Sequence, residues 1–99
     1  MSLDELTAML RDKAADHPPL GYAVKFNLGD DGIIHLDGTG ATAAVSNDDK
    51  AADCTIKISL ADFAAMTSGD LDATTAFMMG KLKIDGSMGV ALKLQGILG

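Results

Sequence analysis

Period-two alternation broken by one turn signal governs the first half of this chain. Tyr22, Val24, Phe26 and Leu28 point one way, and Ala23, Lys25 and Asn27 point the other. Gly29-Asp30-Asp31-Gly32 then supplies a hairpin turn, after which Ile34 and Leu36 resume the apolar face with His35 and Asp37 outside. Such a chain must form a sheet with one apolar face, and it must cover that face with other elements while the opposite face meets water.

The covering elements are written around the strands. Ser2-Leu3-Asp4-Glu5 has the form of a capping box, and Leu3, Leu6, Met9, Leu10 and Lys13 follow at helical spacing. That helix is predicted to stop near His17, because Pro18-Pro19 cannot continue it. Gly38-Thr39-Gly40 marks a second turn, and the small residues from about Ala41 to Val45 predict a weak edge strand. Cys54, Ile56 and Ile58 alternate with Thr55 and Lys57, which predicts a further strand. Ser59-Leu60-Ala61-Asp62 opens a helix carrying Leu60, Phe63, Ala64 and Met66, and Gly69 closes it. A short helix or turn is predicted from Asp72 to Met79, a strand from Lys81 to Asp85 with Leu82 and Ile84 inward, and a last helix from Met88 to Leu98. Consecutive strands flanked by helices define an α+β chain, and its 99 residues suffice for a single domain over 1–99.

Composition excludes several function classes. A net charge of -6 repels phosphate backbones, and aromatics at 4% with no Trp give no platform for stacking bases, so no nucleic-acid partner is expected. The same acidity argues against a basic patch that would hold the chain on anionic lipid. No apolar run reaches the ~20 residues of a membrane helix. The acidic N-terminus is unlike a signal peptide, and the lone Cys54 excludes an intrachain disulfide, so a cytoplasmic protein is expected.

No catalytic set emerges. His35 falls on the predicted solvent face and His17 in a helix-ending turn, neither beside a residue that marks it as a general base. Cys54 reads as a buried, inert thiol. Asp30-Asp31 and Asp48-Asp49 lack the spacing of a calcium loop, no Cys/His set suits zinc, and the glycines do not make a phosphate-cradling loop. No metal, cofactor or enzymatic activity is expected.

What remains is an apolar surplus. Residues 76–88 hold Phe77 and the three methionines Met78, Met79 and Met88 among lysines and glycines. Methionine refits itself around whatever shape it meets, which suits a wall built to hold a variable apolar ligand as well as plain core filling. The predicted last helix is apolar at Met88, Val90, Ala91, Leu92, Leu94, Ile97 and Leu98, most of the way round. Such a helix needs cover on more than one side, from a ligand, a partner chain or a membrane.

Ala52-Asp53-Cys54-Thr55-Ile56, then Asp62-Phe63, Gly69, the block Ala76-Phe77-Met78-Met79-Gly80-Lys81-Leu82-Lys83-Ile84-Asp85-Gly86-Ser87-Met88-Gly89, and Leu92-Lys93-Leu94-Gln95 resemble, in order, the sterol carrier protein type 2 family of nonspecific lipid-transfer proteins. The resemblance implies about five strands in a mainly antiparallel sheet, helices on one face, and an apolar cavity or tunnel between the layers. It implies non-catalytic binding of fatty acid, fatty acyl-CoA, phospholipid or sterol, and transfer with transient membrane contact. Carried over by position, it makes Phe63, Met66, Phe77, Met78, Leu82, Met88, Leu92 and Gln95 the lining residues, with Gln95 as a polar contact. Longer relatives cover the cavity with a C-terminal extension, some ending in a peroxisomal tripeptide; this sequence stops at Leu98-Gly99, and Ile33 stands where a Trp is common. The alternative is a structural or regulatory module with a collapsed cavity, whose apolar face makes a homodimer.

Overall fold

The structure, a computed structural model, describes residues 2–16, 21–41 and 43–90. In chain order these form α1 (Leu3–Ala15), β1 (Ala23–Asn27), a 3-10 turn (Gly29–Asp31), β2 (Ile33–Asp37), β3 (Ala44–Ser46), β4 (Cys54–Ile58), α2 (Leu60–Thr67), α3 (Ala73–Met78) and β5 (Leu82–Gly86). The strands make one five-stranded sheet in the order β3-β2-β1-β4-β5. Its pairings are antiparallel except for β1 with β4. The expected α+β architecture, mainly antiparallel, is therefore present. Residues 88–90 enter a helical conformation, and the rest of the predicted last helix lies outside the described residues, as do His17, Pro18 and Pro19.

Local chemistry accounts for the elements. Ser2 caps α1 by accepting from the Glu5 amide, and the Glu5 carboxylate accepts in return from the Ser2 amide. Those bonds from Ser2 hold the Glu5 carboxyl below its ordinary value. In the β1–β2 hairpin, Val24 faces Leu36 and Phe26 faces Ile34, so all four lie on one side of the sheet. That side carries the core: α1 adds Leu6, Leu10 and Ala14, α2 adds Phe63 and Met66, α3 adds Ala76, and β4 and β5 add Cys54, Ile56, Ile58 and Leu82. All three helices thus feed the same apolar face.

The opposite face departs from expectation at His35, which is buried and not solvent-exposed. The cause is topological. β3 lies at one edge of the sheet, while β4 pairs with β1 in parallel on the far side of the hairpin. A parallel pair needs a crossover, and residues 47–53 make it without a helix, along the polar face. Lys25 of β1 meets Asp49 of the crossover at 2.8 Å. His35 Nε2–H donates to the Ala51 carbonyl at 3.0 Å, which seals the imidazole and fixes its proton on Nε2.

Asn47 ties this crossover to the helical layer. Its Nδ2 donates to Thr7 Oγ1 and to the Ile33 carbonyl, both at 2.9 Å. Asn47→Ala removes both bonds and leaves the largely buried Thr7 hydroxyl bonded only to the Leu3 carbonyl. A cost of about 1–2 kcal/mol is expected, read as a lower urea midpoint at unchanged m-value. An unchanged midpoint would show that the clasp adds nothing.

Candidate functional site

The lining residues implied by the family resemblance fall into two groups. Phe63, Met66 and Leu82 sit in the core, on the helical side of the sheet. Ser59 positions α2 by accepting from the Asp62 amide at 3.1 Å, and Gly69 at φ +86° ends it. Phe63 then stacks on Phe26 of β1, with centroids 4.7 Å apart and planes at 24°. Leu82 is brought beside Ile58 by the antiparallel β4–β5 pairing.

The second group faces outward. Phe77 is 46% exposed, Met78 80% and Met88 49%, with Met79 between them in sequence at 60%. Among the described residues these four are the large apolar side chains left exposed. α3 sets the exposure of Phe77 and Met78: its six residues bury Ala76 alone, and Asp72 caps it by accepting from the Thr75 amide. Leu92 and Gln95 lie outside the described residues, and the tunnel implied between sheet and helices is not delineated by those that are described.

A different feature was missed from the sequence. A groove of about 470 Å³ opens at one end of β1, β4 and β5, lined among others by Asn27, Lys57, Gly80, Lys81 and Lys83. Asn27 pairs with Lys57, and Lys57 with Lys83, so the three side chains form a row across the face away from the helices. The alternation placed Lys57 and Lys83 on polar faces, but only strand order makes them neighbours. The expectation of no basic patch is corrected locally: an overall charge of -6 coexists with three lysines round one groove.

Titratable groups elsewhere have structural partners. Cys54 is buried and unpaired, and burial first, then the Asp85 charge, pushes its thiol up, which disfavours the nucleophilic thiolate. The Thr39 hydroxyl and then its amide hold the half-buried Asp37 carboxyl below its ordinary value. Among the described residues no group of three or more His, Cys, Asp or Glu side chains is placed to hold a metal ion. No helix among them is long and apolar enough to cross a membrane.

Fold and site define a small α+β module organised round one apolar layer, with an exposed Phe-Met segment beside it. A family model described as the SCP-2 sterol transfer family matches residues 3–99, and the chain belongs to that family. Sterol carrier protein 2 of Homo sapiens is 47% identical over 58 residues, which make up 59% of this chain and 11% of that protein. The chain therefore spans a small part of the length of the curated relatives it matches. Among solved structures, sterol carrier protein domain 2 of Helicoverpa armigera superposes with a TM-score of 0.64 at 27% identity, covering 90% of this chain and 70% of that one. Palmitated SCP2L2 of Aedes aegypti gives a TM-score of 0.74 over 99% of this chain and 95% of that one; its 19% identity makes this a likeness of fold.

Proposed function

We propose that residues 1–99 act as one lipid-binding domain, which holds a fatty acid, fatty acyl-CoA, phospholipid or sterol without covalent chemistry and carries it between membranes in the cytoplasm. Phe63, Met66 and Leu82 form the inner wall, Phe77, Met78 and Met88 the mouth, and Leu92 and Gln95 complete the lining. The observation that carries this reading is the coincidence of two patterns. Among the described residues the exposed large apolar side chains all fall from Phe77 to Met88, inside the block that carries the family resemblance. The energetics suffice. Burying an acyl chain yields about 0.8 kcal/mol per methylene, so roughly ten methylenes supply the ~8 kcal/mol of a micromolar Kd before ordering costs. Methionine at the mouth adapts to several chain shapes, which supports broad selection among lipids.

Mass spectrometry of a solvent extract of the purified protein tests the reading, and co-purified lipid is the expected result. Phe77→Asp and Met88→Asp are each expected to weaken a fluorescent fatty-acid probe at least tenfold, with the circular dichroism spectrum unchanged. The exposed Phe-Met segment also suits a self-association face, which is the second reading. A protein that is empty, ignores the probe and turns from dimer to monomer on Phe77→Asp favours that alternative.

A further inference from the structure

The lysine groove and the exposed methionines belong to one corner of the molecule. The Lys81 amide donates to the Ala76 carbonyl at 2.9 Å, and the Gly80 amide to the Phe77 carbonyl at 3.2 Å. One tight turn therefore fixes the apolar tip Met78-Met79 next to Gly80 and Lys81 on the groove's rim. Lys57, Lys81 and Lys83 are exposed and make no ion pair or hydrogen bond among the described residues. Of the other cations, Lys25 is committed to Asp49, Lys50 to Asp48 and Arg11 to the Val45 carbonyl, while Lys13 lies in the last turn of α1.

We propose that this α3–β5 corner is the surface by which the protein docks on an anionic phospholipid membrane. The groove lysines meet headgroup phosphates while Met78 and Met79 enter the interfacial layer. The inference deepens the carrier reading by naming the surface from which ligand is loaded. Charge complementarity calls for an anionic partner, and the exposed methionines beside the lysines call for an apolar layer just beneath that charge, a combination that an anionic bilayer supplies. An uncharged apolar partner leaves the lysines unused. Pairing with the carboxylates of a second copy would show as self-association without vesicle binding, which overturns the proposal. The overall negative charge does not prevent docking. Screening confines each charge to roughly 8 Å at physiological salt, so the side facing the membrane decides. Acids close to the groove are Asp62, whose amide donates to the lining residue Ser59 at 3.1 Å, Asp85, two residues beyond Lys83 on β5, and Asp30 and Asp31 beyond Gly29, and they limit the attraction. Pairing interfacial apolar residues with basic ones is the combination that holds peripheral proteins on anionic bilayers.

The test is co-sedimentation of the full chain with vesicles of phosphatidylcholine alone or of phosphatidylcholine mixed with phosphatidylserine, whose negative surface potential attracts basic side chains. Binding is expected only to the anionic vesicles and is expected to fall in high salt. Each lysine is worth about fivefold in partitioning, so Lys57→Gln, Lys81→Gln and Lys83→Gln together lower it about a hundredfold. Met79→Ser weakens binding at both low and high salt. The triple variant is expected to bind a soluble fatty-acid probe as the parent does, because none of its positions lines the lipid site. Loss of probe binding by the parent protein overturns the carrier reading and leaves docking to be read from the vesicles. Equal binding to both vesicle types, or an unaffected triple variant, overturns the docking proposal. So does a response to free inorganic phosphate, read from Gly80 and Lys81 amide shifts, without vesicle binding.

Discussion

Phe63→Ala is expected to lower the unfolding free energy by about 3–5 kcal/mol, the range for truncating a fully buried aromatic. Phe63 is completely buried and stacked on Phe26, at the point where α2 meets the strand that pairs on both sides in the middle of the sheet. The truncation removes the ring's transfer energy, leaves a cavity, and deprives Phe26 of its stacking partner. Small domains have about 5–15 kcal/mol in total, so the variant should melt far below the parent or fail to accumulate. Phe63→Leu, which keeps most of the volume, should recover much of the loss. Thermal unfolding followed by circular dichroism checks both, and a Phe63→Ala loss under ~1 kcal/mol would falsify the stated packing.

Gly86→Ala is expected to cost about 3 kcal/mol, from positive-φ strain of ~1–2 kcal/mol plus a backbone clash of similar size. Gly86 has φ +108°, and a Cβ there would stand 2.5 Å from the Asp53 carbonyl oxygen and 3.2 Å from the Cys54 Cα. Both contacts are backbone atoms of the chain leading into β4, so relief requires the β4–β5 pairing at Cys54 and Gly86 to open. Gly80→Ala is the control. It carries the same sign of φ, +76°, with nothing within 4 Å of the added carbon. Only the backbone term remains there, about 1 kcal/mol. Equal losses at the two glycines, measured by urea unfolding, would show that the close approach at Gly86 is not limiting.

The reach of the sequence differs between elements for physical reasons. The β1–β2 hairpin was legible because its partners are local and its turn is marked by Gly29 and Gly32. The Ser2–Glu5 capping box and the end of α2 at Gly69 were legible because capping depends on a few adjacent residues. The parallel β1–β4 pairing was not, since no local signal says which distant strand lies beside β1. His35 was misplaced for the same reason: its cover comes from a crossover sixteen residues away. The lysine groove escaped because Lys57 and Lys83 become neighbours only through the β4–β5 register. The Met-rich block reads in sequence as one unit, yet in the fold it divides. Ala76 and Leu82 enter the core while Phe77, Met78, Met79 and Met88 do not; α3 is too short to bury more than one face, which leaves Phe77 and Met78 outside, and Met88 lies beyond the end of β5.

The six methionines offer a direct reading of the central claim, because they are spread over the chain and each methyl gives its own signal. Titrating delipidated protein, labelled at the methionine methyl carbons, with palmitate is the decisive measurement. Lipid held between sheet and helices predicts saturable shifts at Met66 and Met88, with Met9 of α1 unmoved. Shifts confined to Met9, or no saturable shift at any methionine, would contradict a lipid site walled by Phe63, Met66 and Leu82.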